Sequence, residues 1–287
     1  MYKNKLSYLL LILSLILTYN FLHLNVNQFN SDPSVTIKWK TENEFKTPES
    51  VLFDAVNNII YVSNINGSPM EKDRNGFISK LGLDGKIINL EWITGLNAPK
   101  GMGIYGSKLF VADINRVIEI DINSGKIVDE YSSPKAQFLN DITVHSSGVV
   151  YISDNVANII FQLEEKEIKP WLVSPILDLP NGLFAEENYL LIGMNNSILS
   201  VDYKDKNIKS IINNTDFIDG LVSRGDGTYL ISDFSGAIHS VEPGKDKVKI
   251  IDTTDEEIMA ADIDYIIDKR LLIVPTFTDN RVFAYEL

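Results

Sequence analysis

The chain has no cysteine. A disulfide framework, a thiolate metal centre and a cysteine nucleophile are therefore excluded. Histidine is nearly as scarce, with only His23, His145 and His239. Positive charge is short as well: 26 lysines and arginines face 39 acids, for a net charge of −13. A surface of that sign repels phosphate, so nucleic acid is excluded as a partner. No phosphate-cradling loop or dinucleotide fingerprint occurs either, because Gly101-Met102-Gly103 is not followed by a helical pattern.

What the chain does have is a repeat. A polar residue opens a short apolar stretch, and a second apolar run ends 13 to 15 residues later. Glu49 precedes Ile60-Tyr61-Val62-Ser63-Asn64, and Lys100 precedes Leu109-Phe110-Val111-Ala112-Asp113. Asn140 precedes Val150 to Asp154, and Asn181 precedes Leu190-Leu191-Ile192-Gly193. Asp219 precedes Tyr229 to Asp233, and Asp262 precedes Leu272 to Thr276. Six copies about 40 residues apart indicate a repeat architecture. Two further strand-like segments follow in each copy, split by turns such as Asp84-Gly85 and Asn123-Ser124-Gly125. Four short antiparallel strands per repeat make the blade of an all-β, six-bladed β-propeller over residues 35–287. The sixth repeat ends one strand short. Val35 to Lys40, which alternates apolar and polar residues, is predicted to complete it and close the ring.

The segment before the repeats differs in kind. Lys3 and Lys5 precede an apolar run, and Leu6 to Leu24 is just long enough to cross a bilayer. Residues 1–24 are expected to act as an uncleaved signal-anchor, a cleaved signal peptide being the alternative. Residues 25–34 read as a linker. The globular part is thus expected to be exported, periplasmic or extracellular, with a membrane contact through this segment only. A monomer is expected.

In a propeller, the loop entering each innermost strand lies on one face of the ring. Glu49, Lys100, Asn140, Asn181, Asp219 and Asp262 are therefore predicted to converge on one channel mouth. Asn64, Asp113, Asp154 and Asp233, at the second-strand ends, are predicted to form an outer polar ring. Carboxylates and amide oxygens without sulfur or imidazole suit a hard cation, calcium first, with magnesium, manganese and zinc as alternatives. Lys100 would face a substrate carboxylate or phosphate, or pair with a channel acid. No histidine falls in the convergent register, which disfavours a Ser-His-Asp triad.

At these residues the chain resembles the regucalcin/gluconolactonase family of calcium-dependent six-bladed propellers, whose more distant members include diisopropyl fluorophosphatase and paraoxonase. Pro48-Glu49-Ser50, Leu139-Asn140-Asp141, Asn181-Gly182-Leu183 and Asp219-Gly220-Leu221 are similar to that family's motifs. The resemblance implies that Glu49, Asn181 and Asp219 hold the metal, with Asn140 on metal or substrate. It lacks the family's lactone-binding arginine before the first Asn, where Phe138 and Leu139 stand, and the paraoxonase histidine pair. The expected activity is hydrolysis of a lactone or related ester, a small-molecule substrate contacted also by Lys100, Asn140 and Asp262. Asp219 is the expected base or nucleophile. The alternative is a non-catalytic propeller of the NHL-repeat kind that binds a ligand or protein.

Overall fold

In the computed structural model, the residues described are 35–287. They form six four-stranded antiparallel sheets, one per repeat, arranged as the blades of a propeller. The innermost strands are Pro48–Asp54, Pro99–Tyr105, Leu139–Val144, Leu183–Ala185, Leu221–Ser223 and Asp264–Ile266. The long polar insertion of blade 1 falls between the strands Ile59–Asn64 and Gly76–Gly82. The second strand of blade 6 ends at Pro275, one residue before the end read from the apolar run. Residues 1–34, with the predicted signal-anchor and linker, lie outside the described residues. No helix among the described residues is long and apolar enough to cross a membrane.

Burial explains why the second strands stand out in the sequence. Val150–Asp154 is buried at every position, and Leu271–Pro275 likewise. Strands covered on both faces need continuous apolar runs rather than alternation. The outer strands lack such runs, because they face water: Lys126–Ser132 is mostly exposed. Between each pair of neighbouring blades lies one apolar core. Phe110, Ala112 and Val117 of blade 2 meet Leu139, Ile152 and Phe161 of blade 3, and five similar clusters complete the circle. A blade therefore has no core of its own, so the ring is one cooperative unit.

Closure follows the expected route. Thr36–Lys40 pairs antiparallel with Val282–Glu286 as the outer strand of blade 6, from Thr36 opposite Glu286 to Lys40 opposite Phe283. Thr41 locks the junction: its N–H donates to the Val282 carbonyl, and its hydroxyl accepts from Val282 N–H, both at 3.0 Å. Trp39 reaches into blade 1, donating from Nε1 to the Leu83 carbonyl at 2.8 Å, and packs on the core between blades 6 and 1.

Deleting residues 1–30 should therefore leave a folded propeller, whereas deleting residues 1–41 exposes the Val282–Glu286 edge and opens the ring. The thermal midpoint of the second truncation should fall far below that of the first, by scanning calorimetry. Equal midpoints would contradict closure by this strand.

Candidate functional site at the channel mouth

The six convergent residues occupy one structural register. Val51 pairs with Val62, Met102 with Val111, Ile142 with Ile152, Leu183 with Ile192, Leu221 with Ile231 and Asp264 with Ile273. Two residues upstream of these first partners stand Glu49, Lys100, Asn140, Asn181, Asp219 and Asp262. In blades 1, 2 and 3 the ladder bulges there, at Pro48/Ser50, Pro99/Met102 and Leu139/Ile142. In blades 4 to 6 regular pairing starts only after the residue. A bulge re-aims a side chain out of the ladder, and here it delivers Glu49, Lys100 and Asn140.

Serines on the second strands fix the same local geometry. Ser63 Oγ accepts from Ser50 N–H at 3.0 Å, Ser153 Oγ from Asp141 N–H at 2.9 Å, and Ser232 Oγ from Gly220 N–H at 2.8 Å. Ser232 also donates to the Ala261 carbonyl at 2.7 Å, tying blade 5 to blade 6. The predicted outer polar ring has a structural task. Asp113 accepts from Asn97 and Ala98 N–H, and Asp154 from Gln137 and Phe138 N–H. Asn64 accepts from Lys46 N–H at 2.9 Å. These side chains hold the loops that enter the inner strands, and Asp113, Asp154 and Asn64 are fully buried.

Inside that frame the mouth is crowded with acid. Asn181 donates from Nδ2 to Asp219 Oδ1 at 2.6 Å, and Ser50 donates its hydroxyl to Asp262 Oδ2 at 2.5 Å. The other oxygen of Asp219, Oδ2, and Oε2 of Glu49 are buried without any hydrogen-bond partner. Burial raises all of these acids. Glu49 is held well above the usual carboxylate range by desolvation and then by Asp219, against the pull of Lys100. Asp219 is pushed up to about 7 by desolvation, offset by the Asn181 amide. Asp262 is held well above the usual range by desolvation, with Asp141 and Glu49 adding to it.

Asp141 belongs to this group and was not singled out from the sequence. It is 6 % exposed, and burial raises it to about 8 although it accepts from Leu183 and Ile142 N–H. It follows Asn140 directly, so strict alternation assigns it to the opposite face. The bulge between Leu139 and Ile142 breaks that rule. The signal available was the Asn140-Asp141 pair, where other blades carry Ser50, Gly101, Gly182, Gly220 and Ile263. Below it, a cavity of about 280 Å³ runs along the channel, lined in part by Asp141, Thr143, Asp262 and Asp264. Asp264 accepts from Phe53 N–H at 2.7 Å, and burial raises it to about 6.

Lys100 is 1 % exposed and pairs with no acid within ion-pair distance among the described residues. Its Nζ donates to the carbonyls of Ala98 at 2.9 Å and Pro69 at 3.2 Å, beneath the polar loop of blade 1. It also stands 4.4 Å from the centre of the Phe138 ring. Desolvation lowers its amine to about 8, with Glu49 and Asp113 opposing. Asn140, 6 % exposed, finds no side-chain hydrogen-bond partner among the described residues. His145 and His239 stay outside the mouth. His145 lies in the turn after an inner strand, hydrogen-bonded to Ser147 and the Glu187 carbonyl, and His239 is in a third strand.

The sequence matches no protein-family model and none of the curated proteins. The fold has many counterparts. A gluconolactonase from Xanthomonas campestris superposes with a TM-score of 0.66 at 14 % identity, over 88 % of this chain and 89 % of that one. A catalytically inactive virginiamycin B lyase from Staphylococcus aureus, solved with quinupristin, superposes with a TM-score of 0.61 at 15 % identity, over 88 % and 99 %. The WD40 propeller domain of Doa1 gives 0.58 at 12 % identity, over 82 % and 77 %. At such identities the likeness is one of fold. The chain is a six-bladed propeller, and its neighbours include enzymes with different chemistries.

The acid cluster sets a pH dependence with a definite sign. Asp141, Asp219 and Asp264 hold protons in the native state up to about 8, 7 and 6, whereas an unfolded Asp releases its proton near pH ~3.9. The native state therefore binds more protons than the unfolded chain between these limits. The stability contributed by these three acids is fully present below pH ~4 and is lost as pH rises through the range 6 to 8. Calorimetry in the presence of a chelator should show a higher midpoint at about pH 5 than at pH 8. The Asp219→Asn variant should flatten the slope. A midpoint that climbs toward pH 8 would contradict this electrostatic picture.

Proposed function

We propose that the protein is an exported, divalent-metal-dependent hydrolase of the gluconolactonase type, acting on a lactone or related ester at the channel mouth. The observation that carries this reading is the pair of buried, unpartnered oxygens, Glu49 Oε2 and Asp219 Oδ2, within one ring of acids and amides. A buried carboxylate oxygen without a donor is costly unless a cation or a proton completes it. Those residues fit a hard cation by their chemistry. Among the described residues no three acidic or histidine side chains gather as a metal cluster of their own. The amide oxygens of Asn140 and Asn181 and water would therefore supply the remaining ligands, as calcium accepts.

Glu49, Asn140, Asn181 and Asp219 would hold the ion, which when bound supplies a Lewis acid for a carbonyl oxygen. Asn181 holds Oδ1 of Asp219 in place. With Oδ2 turned to the ion, Oδ1 would take a proton from water as that water adds to the acyl carbon, or would itself add there, the lactone ring oxygen being the leaving group. Asp262, oriented by Ser50, and Lys100 complete the substrate contacts. Of the three N–H donors of Lys100, two are held by the Ala98 and Pro69 carbonyls, which leaves the third for an anionic group. Export and anchoring belong to the same proposal and concern residues before the described ones. The gluconolactonase among the structural neighbours supports an enzyme. A non-catalytic binding propeller is the reading it competes with.

Calcium at a hundredfold excess over its dissociation constant should stabilise the native state by about 2.7 kcal/mol. For a domain of this size that raises the thermal midpoint by roughly 5 to 10 °C. Stripping the metal should lower the midpoint and remove lactone hydrolysis together, and calcium should restore both. Asp219→Asn should abolish turnover with calcium binding weakened but measurable by titration calorimetry. Glu49→Gln should weaken binding, and Asp84→Asn in an outer hairpin should change neither property. A midpoint unmoved by millimolar calcium would sink the metal site, and turnover surviving in Asp219→Asn would sink the assignment of that residue.

A further inference from the structure

The six inter-blade cores account for the packing of the ring, yet a seventh apolar cluster lies apart from them. Ile65, Ala98 and Ile114 are buried together, with Phe277 packed on them and partly exposed. All four sit where the chain reaches the mouth face. Ile65 and Ile114 follow the second strands of blades 1 and 2, and Ala98 stands two residues before Lys100. The turn Phe277–Asp279 packs against the inner strand Pro48–Asp54, which carries Glu49.

Phe277 does not stand alone. Its ring meets that of Phe234 edge to face, with centroids 4.8 Å apart, and Phe234 follows the second strand of blade 5, whose inner loop carries Asp219. Across the mouth, Phe138 lies two residues before Asn140, with Lys100 Nζ at 4.4 Å from its ring. Phe138, Phe234 and Phe277 are all partly exposed. Acids and amides form the floor of the mouth, and aromatic rings stand on its rim.

Two members of the cluster hold an unfavourable backbone. Phe277 has φ 51° and Ile114 φ 63°, both in the left-handed region. A bulky or β-branched side chain is disfavoured there. Such a conformation persists only where the surroundings over-determine it, and it recurs at binding sites. A ligand covered with hydroxyls would set them against this rim without partners, which is costly. An alkyl or aryl body would instead remove both surfaces from water.

Resting on the hydrolase reading above, we propose that the rim formed by Phe138, Phe234 and Phe277 is an apolar subsite. It selects lactones or esters that carry an alkyl or aryl group over polyhydroxylated sugar lactones.

The test uses calcium-loaded protein and δ-lactones with side chains from none to seven carbons, together with glucono-δ-lactone. Turnover is read on the lactones, and equilibrium binding on the matching lactams, which resist hydrolysis. Each added methylene should tighten lactam binding about twofold, half the effect of complete burial, and raise kcat/KM in parallel. Phe277→Ala and Phe234→Ala should each flatten that dependence, while Phe277→Leu should keep most of it. A lactam slope without any lactone turnover would leave the subsite standing and overturn the hydrolase reading. Turnover with no dependence on chain length, or with glucono-δ-lactone preferred, would overturn the subsite and leave the hydrolase. A slope unchanged in both alanine variants would overturn the assignment to these rings, and no lactam binding at millimolar concentration would overturn the subsite.

Discussion

The pairing of Thr36–Lys40 with Val282–Glu286 is the contact on which the rest depends. The six large apolar cores each lie between two blades, so each blade is stable only while both neighbours stay in place. An open ring would leave one such interface exposed to water along with a free strand edge. The closing strand is itself mostly exposed, and its outer position gives it little burial of its own. Its hold comes from the ladder, from the Thr41 junction and from Trp39, which reaches over to the blade 1 hairpin at Leu83.

Closure also creates the problem that the mouth solves. The innermost strands are sheet edges turned toward a channel, and their peptide groups need partners. Neighbouring blades supply them. Asp141 takes Leu183 N–H, Thr143 takes Ala185 N–H, and Asp264 takes Phe53 N–H. Main chain contributes at the seam, where Asp262 N–H donates to the Glu49 carbonyl and Val51 N–H to the Asp262 carbonyl. Some channel acids are thus satisfied by the backbone. Glu49 and Asp219 each keep one buried oxygen that no donor reaches.

The two faces of the mouth follow from one local pattern. The residue that turns inward at the start of each inner strand is polar in all six blades. The segments around it carry Phe138, Ala98, Phe234, Ile114 and Phe277 in several of them. Ala98 and Phe138 stand two residues before Lys100 and Asn140 on the loops that enter the inner strands, whereas Ile114, Phe234 and Phe277 follow the second strands of their blades. Lys100 shows how tightly these parts interlock, since its amine is held by two carbonyls and an aromatic ring at once.

The six-fold repeat, the antiparallel blades, the closing strand and the register of the six convergent residues were all legible in the chain. Each rests on local periodicity and on doubly buried second strands that must be continuously apolar. What stayed hidden depends on distance between blades. Asp141, next to Asn140, is one such residue, because a bulge of one residue breaks strict alternation there and no local pattern marks that bulge. The second-strand Asp and Asn residues read as an outer polar ring around the mouth, and only the fold shows that Asn64, Asp113 and Asp154 also hold the incoming loops. Lys100 offered two readings, a substrate contact or an ion pair, and its carbonyl partners became visible only once Pro69 of the blade 1 loop was placed above it. The acids Glu49, Asp219 and Asp262 come from three different blades and feel one another's charge only when the ring is shut. Sequence sets the register at which the six polar residues enter the inner strands. Closure alone sets how far apart they stand, and the burial and charge coupling that follow belong to the tertiary structure.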